Sequence, residues 1–492
     1  MVKTGVSHVA SLRDGRSLFI DGERVADQTS HPAFRNASRS AASLYDYQAD
    51  PANLERMTFV SPTSGGRVNR LWQLPRDYRE LVARRKVMEE WAELTCGMIG
   101  RSPDHVGSSL AGMYMGLPVY EENDPKRAKA LKDYFHYARD ADLYLTYVII
   151  NPQADRSKAT SDQPGEELVA QVVDEDHEGI TIHGAKMLGT GAPFANEIMV
   201  SGFMGLQPGE EKFAFTAMLP MATRGLKLFS RKSYEMSAPS VFDNPLASQF
   251  DENDAVVFFD QVKVPWERVL VNQDVQMAQA QWHETRAHVL QNFQCQVRLM
   301  VKLRFIVGIA RKVAEINGII NIPQVRETLG LIAAKAKTLE GLVYAMESAG
   351  ERYGDYFVPN RSLLATSQVI AQTLYPEIID HIRTLAGGGL IMLPSSARDF
   401  THPEIAEVIG KTQRSSVVGS EERVKFFKLA WDAIGSEFGS RHTQYEMFYS
   451  GPAFITRGHS FRFYEWDRAK AMVEDFMGTY GLPDVRQASA AE

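Results

Sequence analysis

The sequence predicts an α+β chain built of three consecutive regions: mainly helical, then β, then a helical bundle. Three observations carry this. Apolar residues recur at three- and four-residue spacing before residue 141, short β-branched runs separated by Gly, Pro, Asp and Asn fill Glu167–Asn272, and four long helical patterns come after Gln276. At 492 residues, 44% apolar and 10% aromatic, the chain can bury a large core and divides into two or three domains. The expected boundaries are 1–141, 142–272 and 273–492.

In the first region, Tyr78–Met115 reads as helical, with Gly100 closing YRELVARRKVMEEWAELTCGMIG, and a second helix begins at Pro125. The first sixty or so residues carry no clear periodicity. The second region offers LVAQVVDE, GITIHGAKML, EIMVSGF, KFAFTAMLP, LKLFSR and AVVFFDQVKVP as strands of a β-barrel or sandwich, with turn residues at Asp176–Gly179 suited to a tight hairpin. In the third, RLMVKLRFIVGIARKVAEI, VRETLGLIAAKAKTLEGLVYAMESAGERY, SLLATSQVIAQTLYPEIIDHIRTL and ERVKFFKLAWDAIGSEF predict a four-helix bundle.

A net charge of −7 with both signs dispersed argues against a nucleic-acid surface and favours a small-molecule partner. No apolar run has the length of a membrane span, and MVKTGVSHVASL lacks a signal-peptide layout, so a cytoplasmic location is expected. Cys96 and Cys295 lie far apart in sequence and read as small buried hydrophobes rather than a disulfide framework.

The densest local signal is DLYLTYVIINPQADRSK, Asp142–Lys158, where a polar turn comes directly after an apolar run. Leu143–Ile150 reads as a buried strand, Asn151–Pro152 breaks it, and Gln153, Arg156 and Ser157 offer donors to a ligand; a plain strand-to-loop transition has the same pattern. Arg101-Ser-Pro-Asp-His105 lies just after a helix and offers a permanent cation beside a group that titrates near neutrality, or simply a surface Arg and a capping His. In KMLGTGAPFANE, Lys186–Glu197, small residues permit close backbone approach to a flat ring, or form an ordinary loop. Near the C-terminus, Arg441, Tyr445 and Tyr449 share one helical face ahead of the loop Ser450–Ala453. Gly387–Gly389 has neither the preceding strand nor the succeeding Lys of a phosphate loop, and His283 and His288 are five apart rather than four, which disfavours zinc; no metal is expected.

These segments resemble the 4-hydroxyphenylacetate 3-hydroxylase family, oxygenase components of two-component flavin monooxygenases, which carry similar LTH…NPQ…R, R-[ST]-P-D-Y and KMLAT…P.A.E patterns. The order of regions, with VFFDQVKVPWERVL ending the β-region, resembles the acyl-CoA dehydrogenase architecture. The resemblance implies flavin contacts through Tyr147, Asn151, Pro152, Gln153, Arg156, Ser157, Lys158, Ala159, Thr190, Ser450, Gly451, Pro452 and Ala453, and phenol contacts through Arg101, His105, Tyr147 and Arg441. Two positions depart from the family reciprocally. His105 stands where the family has Tyr, and Tyr147 where it has His.

The same resemblance implies an enzyme that uses FADH2, with FMNH2 the lesser choice, and O2 to hydroxylate a phenol ortho to its hydroxyl through a flavin C4a-hydroperoxide. A separate NAD(P)H:flavin reductase supplies the reduced flavin, and a homodimer or homotetramer is expected. His105 is assigned as base, Arg101 as electrostatic clamp and Tyr147 as hydrogen-bond partner. The alternative is a flavin-dependent acyl-CoA dehydratase or isomerase with His288 as base. It is related to 4-hydroxybutyryl-CoA dehydratases but has Gly100 where a cluster cysteine is expected.

Overall fold

The computed structural model describes residues 2–152, 154–165, 167–202 and 205–482. The order helical region, β-region, helical bundle is the one observed, with two additions that the periodicity did not reveal.

The first addition is at the N-terminus. Strands β1 (Ser17–Ile20) and β2 (Glu23–Val25) leave the helical region and join the middle sheet, and a small hairpin, β3 (Thr58–Val60) and β4 (Arg67–Asn69), comes next. The remaining strands are β5 (Leu145–Val148), β6 (Gln171–Glu175), β7 (Gly179–Lys186), β8 (Glu197–Ser201), β9 (Thr216–Pro220), β10 (Leu226–Ser230), β11 (Ala255–Pro265) and β12 (Val269–Val271). They form a six-stranded sheet in the order β2-β1-β10-β11-β7-β6 and a four-stranded sheet in the order β12-β9-β8-β5. Of the two expected forms, barrel or sandwich, the sandwich is the one observed: two open sheets packed face to face. Ile182, Phe259 and Val264 from one share an apolar cluster with Val148, Ile198 and Leu219 from the other, so closure is unnecessary for burial. The hairpin at Asp176–Gly179 forms, Asp176 accepting from the Glu178 N–H at 2.8 Å.

The second addition is a break. The helical pattern across Tyr78–Met115 is two helices, Tyr78–Leu94, capped by the Asp77 side chain, and Pro103–Met115. Cys96 and Gly97 adopt φ of 52° and 69°, which ends the first helix, and Pro103 starts the second at a position where no N–H is required. A Cβ on Gly97 would lie 2.6 Å from Lys302 Cβ, so the turn presses against the bundle. This break delivers Arg101 to the bundle surface.

The bundle consists of Ala287–Ile316, Pro323–Ser348, Arg361–Ala386 and Ser420–Ile434. Ile306, Ile309, Leu339, Tyr375, Ile378 and Phe427 fill its centre, the three- and four-residue spacing placing them on inward faces.

Candidate active site

Four elements meet around Arg101. Its backbone is pinned from two sides: the Gly100 and Arg101 N–H groups both donate to Glu252 Oε2 at 2.9 Å, and the Tyr144 hydroxyl donates to the Arg101 carbonyl at 2.6 Å. Gly100 is required by close approach, since a Cβ there would sit 2.1 Å from Tyr445 Oη. The guanidinium lies 4.3 Å from the Tyr449 ring centre, 4.8 Å from Tyr147 and 5.7 Å from Tyr445. Burial works against its charge, but these three rings hold it cationic.

His105, in the first turn of the Pro103–Met115 helix, stacks on Tyr147 with ring centres 5.2 Å apart and planes at 18°. Its Nε2 is 2.5 Å from Arg101 Nη1 and 3.2 Å from Gln291 Nε2. Arginine only donates, so Nε2 accepts and the ring proton belongs on Nδ1. That Nδ1 is buried with no protein partner. Burial first, then Arg101 and Arg298, push the His105 pKa well below the ordinary range, so the ring is neutral. Burial raises the Tyr147 pKa against the pull of Arg101. Cys295 donates to the Gln291 carbonyl at 3.1 Å, its thiol pushed up to about 12 by burial.

Beneath the rings Arg298 Nη2 pairs with Glu446 Oε2 at 2.8 Å, and Lys302 Nζ reaches Glu446 Oε1 at 2.8 Å and His442 Nδ1 at 2.9 Å. Arg298 also lies 5.0 Å from the Tyr449 ring centre. Sequence reasoning missed Gln291 and Arg298 altogether and gave Tyr445 and Tyr449 no site role. The four-residue tyrosine spacing was the available signal.

Arg441 is placed differently from the other phenol candidates. Its guanidinium binds Glu252 Oε1 at 2.8 Å and Asp254 at 2.6 and 3.0 Å. It therefore touches the Arg101 segment through Glu252. Thr190 Oγ1 donates to the same Asp254 at 2.6 Å, while the Thr146 hydroxyl holds the Thr190 carbonyl at 2.6 Å, tying this loop to β5.

The other cofactor candidates form two exposed margins. Asn151 accepts from Lys186 at 2.7 Å, Pro152 is half-buried, and Arg156, Ser157, Lys158 and Ala159 lie on an exposed loop turned on Asp155, which accepts from the Ser157 N–H at 3.0 Å. Gln153 lies outside the described residues. On the other side, Ser450–Ala453 comes directly after Tyr449, with Gly451 at φ 100° and its carbonyl held by Gln372 at 2.6 Å.

The residues fit a flavin. Met187 donates to the Ile150 carbonyl at 2.8 Å, and beyond it Leu188, at φ 64° and 53% exposed, presents an apolar side chain next to Thr190. This apolar shelf suits a flat ring, and Arg156 and Lys158 on the exposed loop carry charges suited to a phosphate-bearing tail. The buried His105 Nδ1 and Tyr445 Oη have no hydrogen-bond partner among the described residues. A cluster does not fit: His288 contacts His283 and His459, at 5.6 and 5.1 Å between ring centres, and among the described residues no group of three or more His, Cys, Asp or Glu is arranged to hold a metal.

Comparison with known proteins gives one consistent result. Family models described as 4-hydroxyphenylacetate 3-hydroxylase N terminal and C terminal match residues 4–271 and 278–478. The 4-hydroxyphenylacetate 3-monooxygenase oxygenase component of Pseudomonas aeruginosa is 37% identical, over 97% of this chain and 93% of that protein. The 4-nitrophenol 2-monooxygenase oxygenase component of a Rhodococcus species is 36% identical, over 91% and 86%. A crystal structure of a 4-hydroxyphenylacetate 3-monooxygenase oxygenase component complexed with FAD and 4-hydroxyphenylacetate superposes with a TM-score of 0.91 at 30% identity, covering 97% of this chain and 98% of that one.

Proposed function

The chain belongs to the 4-hydroxyphenylacetate 3-hydroxylase family, and on that premise we propose that it is the oxygenase component of a two-component monooxygenase. With FADH2 and O2 it hydroxylates a phenolic substrate ortho to the hydroxyl, and a separate NAD(P)H:flavin reductase provides the reduced flavin. The observation that carries the reading is the buried Arg101–His105–Tyr147 group walled by Tyr445 and Tyr449.

Asn151, Pro152 and Arg156–Ala159, with Thr190 and Ser450–Ala453, would hold the flavin, which would supply the activation of O2. The chain binds and ionises the phenol. Arg101 offers N–H donors to the phenol oxygen, and His105 Nε2 accepts its proton. A phenol titrates at about 10, like tyrosine, so the ring becomes electron-rich only if both groups favour phenolate. Neutral His105 beside a fixed cation is a weak base alone, but a phenolate placed between them favours the imidazolium. Tyr147, stacked on His105, orients that imidazole. The tyrosine wall keeps water from the reacting atoms.

A homodimer or homotetramer is supported by the helix Trp466–Met477, none of whose residues is buried and which exposes Met472, Val473 and Phe476. An apolar face of this kind is covered in an assembly. A cytoplasmic location is supported by the free thiols of Cys96 and Cys295.

The test supplies FADH2 and O2 to the protein with a panel of phenols and scores hydroxylated product against H2O2. Coupled product from at least one of 4-hydroxyphenylacetate, 4-nitrophenol or a simple phenol is expected. Flavin oxidation yielding only H2O2 across the panel overturns the reading.

A further inference from the structure

Lys186 ends β7, its side chain on the same face as Ile180 and Ile182, and it is 1% exposed. The other buried lysines among the described residues each meet a carboxylate, Lys302 at Glu446 (2.8 Å) and Lys428 at Asp243 (3.1 Å). Lys186 meets an uncharged acceptor instead, donating to Asn151 Oδ1 at 2.7 Å. Among the described residues no carboxylate pairs with it, and burial alone pulls its pKa down to about 7. A buried ammonium without a counter-charge is costly and invites an anion.

Its position indicates which anion. The next residue, Met187, bridges to Ile150, so Lys186 lies at the root where the Asn151–Pro152 turn and the Leu188–Thr190 loop meet. Those two segments flank the apolar shelf. Resting on the flavin reading, we infer that Lys186 is a positioning residue that places a positive charge beneath the shelf and so selects the dihydroflavin anion over the neutral oxidised flavin. The chemistry of the two redox states supports the distinction: at and above neutral pH the reduced ring carries a negative charge on its pyrimidine side, and the oxidised ring carries none. Such selection suits an oxygenase that must capture reduced flavin and release the oxidised form.

The experiment measures binding, with no turnover. Oxidised FAD and anaerobically reduced FAD are titrated against wild type, Lys186→Met and Lys186→Gln. The affinity ratio of reduced to oxidised flavin is expected to fall about tenfold or more in both variants, the scale of one charge pair at a protein site, while oxidised FAD binding shifts by less than about threefold. Equal losses for both redox states would mean that Lys186 merely props the turn, and unchanged binding would give it no role; either overturns the inference. Should the variants fail to fold, wild type alone decides. Raising the pH from about 7 to 9 neutralises Lys186 while the dihydroflavin stays anionic, so reduced-flavin affinity should fall and oxidised-flavin affinity should hold, and a flat profile overturns the inference. Wild-type protein that binds neither redox state removes the flavin reading itself, and this inference with it.

Discussion

Arg101 and His105 share a 2.5 Å contact between Nη1 and Nε2 inside a wall formed by Tyr147, Tyr445 and Tyr449. Burial, reinforced by the cation, keeps the imidazole neutral, and the imidazole's lone pair points at the cation. A phenol entering between them finds a donor on one side and an acceptor on the other.

If His105 takes the phenol's proton, His105→Ala lowers the hydroxylation rate by about 10²-fold, the low end for general base catalysis because the group is a weak base. Flavin oxidation continues and H2O2 replaces product. The exchange of imidazole and phenol relative to the family offers a sharper measurement. His105→Tyr and Tyr147→His should each lose coupling, and the double variant should regain a part of it. A double variant no better than the singles argues against a shared role for the stacked pair.

Arg101→Ala removes the donor to the phenol oxygen, and the dissociation constant for the phenol, read by calorimetry, should rise about ten- to a hundredfold, the value of one charge-assisted hydrogen bond. Arg101→Lys keeps charge but loses the fork that spans three rings, and should fall in between. Wild-type affinity in Arg101→Ala would leave Arg101 a structural residue.

Stability should fall in mild acid. Burial pushes the pKa of His8, His105, His288 and His442 well below the ordinary value. Below about 6.5 the unfolded chain binds protons that the folded chain does not, so unfolding is favoured progressively as pH drops, by up to about 1.4 kcal/mol per pH unit per histidine. Above that range these four contribute no further change. Urea midpoints at about pH 7.5 and 5.5 should differ, with the lower midpoint in acid. Equal midpoints would mean that the four rings titrate normally in the fold.

Truncation after Tyr464 removes the helix Trp466–Met477, which buries none of its residues within the chain. The truncated protein should keep its thermal midpoint as a protomer yet elute from size exclusion as a smaller species. An unchanged elution class would assign this apolar face to something other than a second copy.

The sequence by itself determined the order of regions, because helical and strand periodicities are local and survive any tertiary arrangement. It also singled out Arg101 and His105 in a short motif, while Tyr147 stood out only through the resemblance of its segment to the family. The tertiary structure decided what those motifs touch. Gln291, Arg298, Tyr445 and Tyr449 come from the bundle and the helix beyond it; that Gln291 reaches His105, the tyrosines wall Arg101 and Arg298 backs the tyrosines depends on how three segments pack, which no local pattern encodes. The same holds for the turn at Cys96 and Gly97, where a non-glycine residue takes a left-handed conformation that the helical pattern running through it concealed. Lys186 shows the difference most plainly: in sequence it is one lysine at the end of a strand, and only burial without a counter-charge makes it a chemical feature.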